Sequence, residues 1–109
     1  MTSQRYELLA PVIKALAHPL RIELVELLKE GPRNVSNLSK SSDSEISIVS
    51  RHLSILERAG IVEKQPQGKE VFYHLITPCV NRFLCCVEQV LKQHTNTQVK
   101  KIDCLCSKK

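Results

Sequence analysis

The sequence predicts a small, mainly α-helical domain with one β-hairpin, ordered as four helices, the hairpin and a last helix. Three observations predict it. Apolar residues recur at three- and four-residue spacing along most of the 109 residues, the period of helices that bury one face. Between residues 61 and 75 the pattern changes to two β-branched and aromatic runs around a glycine, which reads as a hairpin. With only five Pro and three Gly, the chain is punctuated at few sites, and no internal repeat or low-complexity block interrupts it.

The elements follow in order. Leu8, Leu9, Val12, Ile13 and Leu16 give a first amphipathic helix from about Arg5 to Ala17. His18-Pro19 breaks it, and Pro19 at a first helical position opens a second helix whose stripe is Leu20, Leu24, Leu27 and Leu28. Gly31-Pro32 ends that helix. Asn34 caps a short third helix over Val35 to Ser41. The turn formers Ser41-Ser42-Asp43-Ser44 precede a fourth helix, in which Ile46, Val49, Leu53 and Leu56 form the apolar stripe up to Ala59-Gly60. Ile61 to Lys64 and Val71 to Leu75 are the two strands, around Pro66-Gln67-Gly68-Lys69. Pro78 starts a last helix that runs to about Gln93. Residues 1–93 thus form one domain, followed by a basic, Cys-containing tail at 94–109.

Composition narrows the function classes. The hydrophobic fraction of 42% excludes wholesale disorder, although a chain of 109 residues buries only part of its surface and gains from dimerisation. The formal charge of +5 is unevenly placed. Residues 1–91 carry eleven basic and ten acidic side chains, whereas 92–109 carry five Lys against Asp103. Net charge is therefore weak support for nucleic-acid binding, which must rest on a motif. The longest run without a charged residue, Val71 to Asn81, is too short to span a bilayer, and no signal-peptide pattern opens the chain, so a cytoplasmic protein is expected. No phosphate loop, zinc-protease motif or paired acid/base constellation argues for an enzyme.

The motif lies on the fourth helix. Opposite its apolar stripe stand Ser47, Ser50, Arg51, Ser54 and Arg58, hydroxyls and guanidinium groups rather than the Glu/Lys mixture of an ordinary solvated face. Such side chains reach base edges and phosphates in a major groove. Arg51 is the expected base reader, because its fork fits guanine O6 and N7. Ser47, Ser50 and Ser54 are expected to take phosphate or base contacts, and Lys69 at the hairpin tip phosphate or the minor groove. His52 is counted with the contact face, with a hydrogen-bonding role inside the domain as its alternative. His18, His74 and Tyr73 read as structural.

Helix, helix, short turn, helix, hairpin, helix is the winged helix-turn-helix order. The runs Ala15-Leu16-Ala17-His18-Pro19-Leu20-Arg21-Ile22-Glu23-Leu24-Val25, Ser47-Ile48-Val49-Ser50-Arg51-His52-Leu53-Ser54-Ile55-Leu56-Glu57-Arg58-Ala59-Gly60-Ile61-Val62 and Gln67-Gly68-Lys69-Glu70-Val71-Phe72-Tyr73-His74-Leu75 resemble the ArsR/SmtB family of bacterial metal- and thiol-responsive repressors. The resemblance covers residues 4 to about 93. It implies a homodimer built by the first and last helices, holding two fourth helices in successive major grooves of operator DNA.

The five Cys, an odd number crowded into the last third of the chain, read as reactive or metal-binding thiols rather than a disulfide framework. Cys79 and Cys86 fall on an apolar seam of the last helix with Phe83 and Val90 and read as buried; Cys85 falls among Asn81, Glu88, Gln89 and Lys92. Cys79 and Cys86 are about 10 Å apart along a helix axis, too far to share one ion unaided. The Cys104-Leu105-Cys106 pair of the tail can fold back to complete a three-thiolate site. Soft thiolates suit As(III) first and Cd(II) or Pb(II) next, and the same thiols suit disulfide or persulfide chemistry.

Against the family pattern, Asn34 to Lys40 lacks the Cys-x-Cys of several arsenic and cadmium sensors. Glu88 and His94 lack the N-terminal partners of the zinc sensors, and Leu20 to Glu30 holds no persulfide-sensing Cys. The resemblance therefore implies a repressor with a relocated cysteine site, released by As(III) and needing no cofactor to bind DNA.

Overall fold

A computed structural model describes residues 3–95, the last two by backbone alone. The order is α1 (Ser3–Leu16), α2 (Pro19–Leu28), β1 (Arg33–Asn34), α3 (Val35–Ser42), α4 (Ile46–Arg58), β2 (Val62–Gln67), β3 (Glu70–Leu75) and α5 (Cys79–Thr95). The chain divides into two compact units, one ending at Thr77 and the other beginning at Pro78.

In the first unit, local chemistry sets every joint. His18, in extended conformation, caps α2 by accepting the Leu20 amide on Nδ1 at 3.1 Å, and Pro19 follows at the first helical position. Asn34 Oδ1 accepts the Asn37 amide at 2.8 Å and caps α3. Asp43 closes α3 in the left-handed region at φ 56, where a short polar side chain is tolerated. The Ser44 amide then reaches back to the Ser39 carbonyl while the Ser39 hydroxyl donates to the Ser44 carbonyl. This clasp makes the tight turn between α3 and α4.

Two features depart from expectation. The helix α1 begins earlier than the periodicity suggests and runs through Pro11, which has no amide to donate to the Glu7 carbonyl. Both residues are exposed, so solvent reaches that carbonyl. The sheet has three strands, not two, in the order β1-β3-β2 and antiparallel throughout. Its third member, β1, pairs Arg33 with Tyr73 and Asn34 with Phe72.

The hairpin is tighter and longer than expected. Gln67 pairs with Glu70 across a two-residue turn, and Gly68 has φ +65 at its first central position, as a type II′ turn requires. Counting back along the ladder places Pro66 opposite Val71, a non-hydrogen-bonded site on an edge strand where a missing amide costs little.

The core of this unit is one apolar cluster. Leu24, Val25 and Leu28 of α2, Leu38 of α3, Val49, Leu53 and Leu56 of α4, and Ile61 and Val62 are almost wholly removed from water. Each such side chain contributes about 1.5–3 kcal/mol by burial. Five of the seven α-helical members come at the spacing of the predicted stripes on α2 and α4, so the same residues that make these helices amphipathic lock α4 in place.

Candidate nucleic-acid interface

At 100° per residue, Ser47, Ser50, Arg51, Ser54 and Arg58 fall within about 100° of one another around α4. Ser47, Arg51 and Arg58 are exposed, and Ser50 and Ser54 are half-buried. The opposite side, with Val49, Leu53 and Leu56, is buried. A single helix thus carries its hydroxyl and guanidinium groups outward on a rigid apolar backing. Lys69 is exposed in the hairpin turn. All six contact candidates except His52 are solvent-facing to some degree.

His52 is corrected. It is only 9% exposed, and its Nδ1 accepts from Arg21 Nε at 3.0 Å. Its ring lies 4.4 Å from that of His18, centroid to centroid. The side chain serves the interior of the domain. It sits about 140° around the helix from Ser47 but only about 40° from Leu56, so it belongs to the buried side.

Arg21, absent from the sequence-based candidates, organises this junction. Besides His52 it donates from Nη1 to the Ala15 carbonyl at 3.1 Å, tying α1, α2 and α4 together. A signal was present: Arg21 stands in the first turn of α2, where the helix dipole opposes a cation, so a specific partner was to be expected.

The arrangement disfavours the charged form of His52. Burial, first, and then the charges of His18, Arg21 and Arg51 lower its pKa below the ordinary 6.5. A neutral ring is also what Nδ1 needs in order to accept from Arg21. The unfolded chain therefore binds this proton more readily than the folded one between the two pKa values, so stability rises with pH across that window. We expect the chemical-unfolding midpoint to fall as pH drops below 6.5, and His52→Gln, which keeps an acceptor but cannot titrate, to remove this part of the slope. An unchanged slope in His52→Gln would exclude His52 as its source.

The second unit presents a different surface. Cys79, Phe83, Cys86, Val87 and Val90 occupy about 100° of α5, and all are exposed. The expectation that Cys79 and Cys86 are buried is corrected: their seam is apolar but uncovered. Cys85, expected on the exposed polar face, is half-buried, and its neighbour Asn81 is 6% exposed. Among the described residues no three His, Cys, Asp or Glu side chains come together as metal ligands. Cys104 and Cys106, and with them the completed three-thiolate site, lie outside the described residues. No helix of the described residues is long and apolar enough to cross a membrane.

A helix-turn-helix followed by a β-hairpin wing, with one helix face of Ser and Arg turned outward, defines a DNA-binding regulator. Comparison with known proteins agrees. Residues 18–64 match the family described as bacterial regulatory protein, arsR family. An HTH-type transcriptional regulator of Mycobacterium tuberculosis, Rv0081, is 36% identical over 95 residues, covering 86% of this chain and 83% of that one. Its crystal structure superimposes with a TM-score of 0.73 at 35% identity, over 84% of this chain and 92% of that chain.

The HTH-type transcriptional repressor SmtB of the same organism is 41% identical over 64 residues, 59% of this chain and 47% of its own length. The solution structure of the homodimeric winged helix-turn-helix DNA-binding domain Mb0332 from Mycobacterium bovis superimposes with a TM-score of 0.75 at 26% identity, covering 88% and 89% of the two chains. The chain belongs to the arsR family of bacterial regulatory proteins. The relative matched over most of both chains is a transcriptional regulator, and this chain is an HTH-type transcriptional regulator of the same family.

Proposed function

We propose that this repressor binds a pseudo-palindromic operator as a homodimer, with α4 of each copy in a major groove, and leaves it when a thiophilic inducer, As(III), is captured by its cysteines. The observation that carries the DNA reading is the outward Ser47, Arg51 and Ser54 face on a helix whose other side is buried. Arg51 reads a guanine, Ser47, Ser50 and Ser54 take phosphate or base contacts, and Lys69 on the wing holds phosphate. Support for the dimer comes from the exposed apolar faces of α1, with Tyr6, Leu8 and Ile13, and of α5, with Phe83 and Val90, and from the homodimeric Mb0332 domain.

The inducer reading rests on donor chemistry. Cys85 and Cys86 of α5, joined by Cys104 and Cys106 of the tail and flanked by Cys79, supply soft thiolates suited to As(III), with Cd(II) and Pb(II) next. The tail lysines favour the thiolate form that capture requires. Coupling is reciprocal, so operator DNA weakens inducer binding by the same factor.

Fluorescence anisotropy on operator DNA, titrated with As(III), Cd(II), Zn(II) and a persulfide donor across single Cys→Ser variants, tests this reading. As(III) should release the DNA, and loss of any cysteine of the site should abolish that release while leaving DNA affinity intact. Release by Zn(II) but not As(III) would overturn the ligand assignment. Release by the persulfide donor alone, with covalent sulfur additions in the mass spectrum, would replace metal sensing by thiol oxidation.

A further inference from the structure

A cavity of about 320 Å³ opens among α1, α2 and α4 of the first unit. Pro11, Ala15 and Ile55 give it apolar walls, and Lys14, Arg21 and Arg58 give it three cations. No acidic side chain lines it, and none of the three cations makes an ion pair among the described residues. Lys14 and Arg58 stand in the last turns of α1 and α4, where the helix dipole holds a cation in place without a counter-charge. Arg21 stands in the first turn of α2 and is held by bonds from Nε and Nη1. Its Nη2 makes no hydrogen bond among the described residues.

From this geometry we infer that the cavity is a binding site for a small organic carboxylate with an apolar body. An anionic head satisfies three lining cations that make no ion pair among the described residues, and the guanidinium fork suits a carboxylate in particular. An apolar body covers Pro11, Ala15 and Ile55. The volume lies at the lower end of the ~300–1,000 Å³ typical of ligand sites, which limits the occupant to a small molecule. Arg21 is also the residue that holds His52 of α4, so an occupant would rest on the side chain that anchors this helix.

Titration of the full chain with benzoate, followed by backbone amide resonances, tests the site without reference to DNA. Benzoate should shift the Ala15, Arg21 and Ala59 amides saturably, and benzyl alcohol, its uncharged counterpart, should leave them in place. The double variant Lys14→Gln with Arg58→Gln alters only exposed side chains and should keep its spectral dispersion while binding benzoate at least roughly tenfold more weakly, as the loss of charge-assisted bonds implies. The proposal fails if benzoate shifts none of these amides, or if the double variant binds it as well as the parent. It fails equally if inorganic phosphate saturates the same amides as tightly as benzoate, which would leave a cluster of cations with no use for apolar walls.

Discussion

Arg51→Ala should weaken operator binding by roughly ten- to hundredfold, about 1–3 kcal/mol, and relax the base preference at one position of each half-site. The size follows from a two-bond contact to a guanine edge, which a methyl group cannot imitate. Arg51 is exposed and makes no hydrogen bond or ion pair among the described residues, so the loss belongs to recognition. Its neighbour His52 is pinned by Arg21, which sets the rotation of α4 and with it the direction in which Arg51 leaves the helix.

Anisotropy on the operator and on single-base variants measures both effects. Readings belong above pH 7, because removing Arg51 also removes one of the charges that lower the His52 pKa. Lys69→Ala is the contrast: a phosphate contact gives a uniform loss across sequences and a salt slope smaller by about one. Should Arg51→Ala bind as tightly and as selectively as the parent, α4 does not read bases through this residue.

Much of the outward face of α4 was legible in the chain because amphipathicity and exposure agree on this helix. One helix bears an apolar stripe and a hydroxyl and guanidinium face; the fold buries Val49, Leu53 and Leu56 of the first, leaves Ile46 at its start exposed, and presents Ser47, Arg51 and Arg58 of the second. For His52 the sequence left two roles open, the contact face and a hydrogen bond inside the domain, and the structure favours the second. Its polarity suggested the outer face, whereas its angle, close to Leu56, put it on the inner one, and the hydrogen bond from Arg21 offsets the cost of burying it. That bond joins residues 31 apart in sequence, beyond the reach of any local reading.

The two-residue strand β1 was illegible for a similar reason. Arg33 and Asn34 have no β-forming character, and they become a strand only because β3 offers them a free edge. Pro11 shows the limit of propensity: the apolar spacing around it outweighs one missing amide on an exposed face. On α5 the periodicity was read correctly and the exposure wrongly. A seam of Phe, Val and Cys looks like core, yet in a single chain it faces outward.

That outward seam leads to the other large expected effect. Phe83 is 45% and Val90 54% exposed, and water against such groups costs about 25 cal/mol per Å² that a second copy would recover. Phe83→Glu should therefore turn the chain into a monomer at micromolar concentration, because the new carboxylate would be buried without a partner in a paired seam. Operator affinity should then fall on the order of hundredfold or more, since one recognition helix engages without the other. Sedimentation velocity reads the assembly directly. Ser36→Glu, an equal change of charge at an exposed position of α3, should leave the sedimentation coefficient that of the parent. Cys79 and Cys86 share the seam with Phe83, so any adduct or ion they take must be accommodated within the pairing, which gives thiol chemistry a route to the spacing of the two α4 helices. If Phe83→Glu sediments as a dimer, the α5 seam is not the contact and that route is closed.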